Sequence, residues 1–143
     1  MAPMQIALMV LGILGATVVI WIPLARKLKR MPGELQRELD AAGQKAVRGP
    51  EGATYRGSST GFSKVKGLGV AALTPTQLIF RPIMGKRIDV PLDQVIGVRE
   101  DKWFLRSYAG GRMHLILTLK SGAEVGFFFA DHSTWMALVR PAA

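Results

Sequence analysis

From residue 53 onward, apolar and polar side chains alternate in short bursts. This is the two-residue period of strands with one buried and one exposed face. The pattern predicts seven strands, over residues 53–58, 68–73, 77–81, 86–92, 95–99, 113–119 and 124–129. Ile88, Val90 and Leu92 fall on one face of the fourth, with Arg87 and Asp89 on the other. Met113, Leu115, Leu117 and Leu119 share a face of the sixth. Val125, Phe127 and Phe129 are expected to point inward from the seventh, and Glu124, Gly126 and Phe128 outward. Thr74-Pro75 and Ser121-Gly122 mark turns. After Asp131, a helix-capping residue type, Trp135, Leu138 and Val139 recur at helical spacing until Pro141. Short strands followed by one helix predict a sandwich or partly open barrel, with the Trp135 ring plugging one end.

The first third of the chain has a different pattern. Residues 2–25 carry no charged side chain, and a helix of that length spans roughly 36 Å, enough for a bilayer core of about 30 Å. Arg26, Lys27, Lys29 and Arg30 follow it directly. This order predicts an uncleaved single-pass transmembrane helix, with the N-terminus outside and the remainder cytoplasmic. The four cations are the expected contacts to an anionic leaflet. Gly12 and Ala16, four apart, offer a close-approach seam for a homodimer. Residues 26–50 then read as a basic juxtamembrane segment and a connector helix over 34–47. It starts near Pro32, stops at Gly49-Pro50, and has Leu35, Leu39, Ala42 and Ala46 on one stripe. That stripe is expected either on the membrane surface or against the following domain.

Charge and composition narrow the chemistry. Nineteen Lys and Arg stand against ten Asp and Glu, a net charge of +9, and there is no Cys. Disulfide frameworks and thiolate metal sites are excluded. His114 and His132 lack the spaced partners of a metal site, and Gly67-x-Gly69-x-x-Ala72 precedes a strand rather than opening a helix. No nucleophile–base pair stands out, so the chain is expected not to be an enzyme and to carry no cofactor or metal. Residues 51–143 have a net charge of +5, dispersed rather than clustered, so no nucleic-acid partner is expected.

Within residues 51–139 an ordered series stands out. Gly69-Val70-Ala71-Ala72-Leu73-Thr74-Pro75-Thr76-Gln77-Leu78-Ile79-Phe80 is followed by Ile88-Asp89-Val90-Pro91-Leu92 and Gln94-Val95-Ile96-Gly97-Val98. Leu115-Ile116-Leu117-Thr118-Leu119, Gly122, Phe127, Phe129 and Trp135 complete it. The series resembles PH-like domains of the GRAM or bacterial PH kind. The resemblance implies a mainly β fold: a seven-stranded bent sheet or partly open barrel over 51–140, closed by a C-terminal capping helix. It also implies a binding module for lipid headgroups or protein partners. Members that bind inositides use a basic cluster in the loop after the first strand. The matching loop here is 59–67, and Lys64 and Lys66 with Arg56 are the candidate headgroup ligands, with Phe62 a candidate for insertion. A second cluster, Arg81, Lys86 and Arg87, reads as charge protection of an edge strand. A third, Lys102, Trp103, Phe104, Arg106 and Tyr108, has the aromatic and cationic mix of a contact surface. The expectation is therefore a membrane-anchored PH-like module that binds anionic lipid headgroups, a protein partner, or both. The alternative is a small accessory subunit of a larger membrane complex.

Overall fold

The computed structural model describes residues 3–141; within its first helix, the side chains of residues 13–20 are not among those described. The chain begins with helix α1 (Pro3–Ala41). Seven strands then form one curled antiparallel sheet: β1 (Arg48–Ser58), β2 (Gly67–Leu73), β3 (Gln77–Pro82), β4 (Ile88–Pro91), β5 (Val95–Asp101), β8 (His114–Leu119) and β9 (Glu124–Phe129). Two further short strands, β6 (Trp103–Phe104) and β7 (Ser107–Tyr108), pair as a separate hairpin. The sheet order is β4-β3-β2-β1-β9-β8-β5, so the long β1 joins the two halves by pairing with both β2 and β9. Helix α2 (His132–Val139) ends the fold.

The concave side of the sheet holds the main core. Ala71, Leu73, Leu78, Phe80, Ile88, Val90, Leu115, Leu117, Val125 and Phe127 point into it, as the alternation predicts. Trp135 is fully buried and stacks on Phe129 with ring centroids 4.2 Å apart. Its indole N–H donates to the Glu51 carboxylate, so the polar edge of the ring is satisfied. The predicted plug is therefore in place at the end of the sheet where β1 begins. Asp131 precedes α2 but makes no capping hydrogen bond; its carboxylate instead pairs with Arg48 at 3.2 Å.

The convex side is covered twice. The C-terminal half of α1 lies across β2 and β3, where Met31, Leu35 and Leu39 are buried against Val70, Ala72 and Ile79. This is why β2 is buried from Gly69 to Leu73 without alternation: α1 covers one face and the core the other. Glu38 on α1 pairs with both Arg81 and Arg87. On the other half of the convex side, Phe104 of the β6–β7 hairpin packs over Gly126 and beside His114, and Arg56 and Arg112 lie over Phe128; His114, Ile116 and Phe128, which alternation places on the outer face, are all buried.

Three expectations are corrected. Among the described residues no helix is long and apolar enough to cross a membrane. The single-pass placement, with an outer N-terminus and a cytoplasmic domain, rested on that span and falls with it. Part of the proposed dimer seam, Ala16, lies outside the described residues. Second, α1 does not restart at Pro32 but runs through both Pro23 and Pro32. An interior proline costs about 3 kcal/mol. Met31 on one side of Pro32 and Leu35 and Leu39 on the other each return about 1.5–3 kcal/mol by burial on the sheet. Third, the connector helix ends at Ala41 rather than near Gly49. Gly43, at a φ of +69°, stops it: Gly43 N–H donates to Asp40 O and Gln44 N–H to Leu39 O, the paired bonds of a Schellman cap.

Candidate binding surfaces

Two surfaces of the sheet domain bring cations without a carboxylate partner together with exposed apolar groups. The first is the open end opposite Trp135, between the β1–β2 loop (59–66) and the β3–β4 loop (83–87). A cavity of about 150 Å³ opens there over Tyr55, Phe80 and Ile88, with Lys66 and Lys86 at its rim. Tyr55 donates its hydroxyl to Ser63 O, tying the β1–β2 loop across the floor, and burial pushes the Tyr55 pKa up to about 12. The tips of the two loops carry Val65, 78% exposed, and Met84, 81% exposed. Lys64, Lys66 and Lys86 flank them and have no carboxylate partner among the described residues. A cavity this small takes a single charged group rather than a cofactor.

The basic block of α1 meets this same end. Lys27 donates to Ile83 O in the β3–β4 loop, so the N-terminal part of the helix leaves the domain at the mouth. Arg26, Lys27, Lys29 and Arg30 are all exposed there. Phe62 packs partly buried against the core, so Val65 is the projecting apolar group of its loop. Arg81 and Arg87 are engaged with Glu38 and brace α1; Lys86, between them in the loop, turns to the mouth.

The second surface is the hairpin. Phe104 faces the sheet and is 4% exposed, filling space over Gly126, where a Cβ would lie 2.5 Å from its ring. Beneath it, Arg56 turns away from the mouth. Its Nε–H donates to His114 Nε2 at 3.2 Å and its terminal nitrogen donates to Ser107 Oγ. Since Arg56 only donates, His114 carries its proton on Nδ1, which donates to Asp101 O at 3.1 Å. Burial, with Arg56 and Lys66 nearby, holds the His114 pKa below the usual range against the opposing pull of the Asp101 carbonyl. Burial and the neighbouring Arg112 lower that of Arg56. The guanidiniums of Arg56 and Arg112 lie 4.7 and 4.3 Å from the centre of the Phe128 ring. Of the predicted contact residues, Trp103 and Tyr108 are exposed and pack together at 5.0 Å, while Lys102 and Arg106 point to solvent. Of the predicted headgroup residues, Lys64 and Lys66 sit at the mouth and Arg56 belongs to the hairpin site. Sequence reasoning missed Val65, Met84 and Lys86 as mouth residues; each is an ordinary loop residue until topology sets the two loops side by side.

Among the described residues no group of three or more His, Asp or Glu is placed to hold a metal ion. His132 pairs with Glu100 at 2.7 Å, remote in role from His114.

No family model and no curated protein matches the chain. Among solved structures it is similar to the C-terminal domain of an unknown protein from Leishmania infantum. The two share 14% identity over 74% of this chain and 92% of that one, with a TM-score of 0.53, a likeness of fold.

Proposed function

We propose that the chain is a PH-like binding module whose open end reads anionic lipid headgroups at a membrane surface. One observation carries this reading: two adjoining loop tips present exposed Val65 and Met84 among Lys64, Lys66 and Lys86. Apolar tips suit the acyl boundary, and ammonium groups on flexible stems suit phosphates above it. The exposed cations of α1 leave the domain at the same end and add to the attraction. Such contact needs no spanning helix. The strand order, in which β1 joins a four-stranded and a three-stranded half closed by α2, supports the PH-like assignment.

The test compares the full chain with a Lys64→Glu/Lys66→Glu/Lys86→Glu variant on phosphatidylserine-containing and pure phosphatidylcholine vesicles. At about 1 kcal/mol per lysine, losing three should weaken the preference for anionic vesicles by on the order of a hundredfold. An unchanged preference refutes the mouth as the site. Soluble glycerophosphoserine is added as a competitor: no competition supports a surface reader, and full competition replaces it with a pocket for a free phosphate.

A further inference from the structure

We infer that the β6–β7 hairpin, which adjoins the mouth at Gly57, is a docking surface for an acidic protein segment. Trp103, Leu105 and Tyr108 are 58, 44 and 49% exposed and lie on this hairpin. Buried Phe104, and Ser107 accepting from Arg56 of β1 beside His114 of β8, hold the hairpin against the sheet. The exposed apolar group is thus presented on a fixed support, as interface anchors are.

Charge identifies the occupant. Lys102, Arg106 and Arg112 surround these side chains, and none pairs with a carboxylate among the described residues. Two of the three are guanidiniums, whose planar forks match carboxylates in pairs of hydrogen bonds. The mouth, by contrast, presents lysines. A second copy of a chain with net charge +9 would meet this surface with repulsion. Single-stranded nucleic acid stacks its bases on free aromatic faces, whereas Trp103 and Tyr108 pack against each other.

The turn backbone agrees. Phe104 pairs with Ser107, leaving a two-residue loop in which Leu105 and Arg106 take φ values of +49° and +62°. Asn-Gly fits such a turn without strain; Leu and Arg do not. The strained pair holds the Leu105 side chain beside Gly57 and turns the Arg106 guanidinium to solvent, and such strain points to use.

The experiment follows Trp103 emission in the full chain carrying Trp21→Phe. The probes are a Glu- and Asp-rich peptide with a single Leu, its Lys-for-Glu counterpart, oligodeoxythymidylate, and phosphatidylserine vesicles. The expected result is saturable, salt-sensitive binding of the acidic peptide alone. It should weaken about tenfold or more in a Leu105→Asn/Arg106→Gly variant whose thermal midpoint equals or exceeds the parent's. The rise in midpoint separates lost contact from lost fold. The proposal is overturned if the acidic peptide does not bind or binds the variant equally well. It is also overturned if the oligonucleotide or the vesicles are preferred, or if the emission change instead tracks self-association.

Discussion

Adding one methyl group at Gly126 tests how the hairpin is seated on the sheet. In Gly126→Ala the new Cβ would stand 2.5 Å from both Cδ2 and Cε2 of Phe104. Carbon atoms rest at about 3.5–4.0 Å, so the ring must withdraw by about 1 Å. Phe104 cannot do so while the hairpin stays down, because it is 4% exposed between the sheet and its own strand. Overpacking of this kind costs roughly 1–3 kcal/mol. Lifting the hairpin costs a similar amount, about 1.5–3 kcal/mol, through lost Phe104 burial. A loss of about 2 kcal/mol lowers the midpoint of a domain of about 100 residues by roughly 8–16 °C. Circular dichroism melts of the full chain provide the assay, with Trp103 emission reporting the hairpin. Gly52→Ala is the control: its added Cβ meets nothing within 4 Å, so the change should stay within about 0.5 kcal/mol. In a Phe104→Ala background the Gly126→Ala cost should largely vanish, since the two changes share one contact. Equal melts for Gly126→Ala and Gly52→Ala would refute the seating of Phe104 over Gly126.

Two further predictions concern stability. His114 titrates below its ordinary value because it is buried beside Arg56 and Lys66. In acid the unfolded chain therefore takes up the proton first. The stability contributed by neutral His114 is complete above about pH 6.5 and is lost as pH falls through the folded-state value. Urea midpoints between about pH 7.5 and pH 5 should fall in the parent and fall less in His114→Gln; parallel curves would contradict the assignment. Leu35, fully buried between α1 and the sheet, should cost about 2–5 kcal/mol on truncation to Ala, read as a lower urea midpoint with an unchanged slope. A loss below about 1 kcal/mol would mean that α1 does not dock through this residue.

Alternation alone identified the concave core: Ile88 and Val90, Leu115 and Leu117, Val125 and Phe127 all point where period two sends them. The covers on the convex face were not legible. His114, Ile116 and Phe128 occupy outward positions yet are buried, His114 beside Phe104 of the hairpin and Phe128 under Arg56 and Arg112. Gly126, between Val125 and Phe127, was the local trace of that cover, because a strand glycine often marks a close approach. Pro32 misled for a related reason: propensity argues for a break, and packing on either side of it decides otherwise. The long uncharged run read as one span. Among the described residues no helix is long and apolar enough to cross a membrane, and the C-terminal half of α1 is docked on the sheet. Of the candidate sites, the cations were visible individually. Their division into a lysine-rimmed mouth and an arginine-bearing hairpin required the topology, since Arg56 lies only eight residues from Lys64 and yet faces His114.

The most direct test of the account uses the absence of cysteine. Single cysteines placed at Val65, Met84 and Asp93 in the full chain, each carrying a polarity-sensitive fluorophore, report which end of the sheet meets a lipid surface. Residues 65 and 84 are at the mouth, and residue 93 lies beyond the other end of β4. On phosphatidylserine-containing vesicles the account predicts a blue shift at positions 65 and 84, reversed by salt, and none at 93. Equal shifts at all three positions, or a shift at 93 alone, would contradict it.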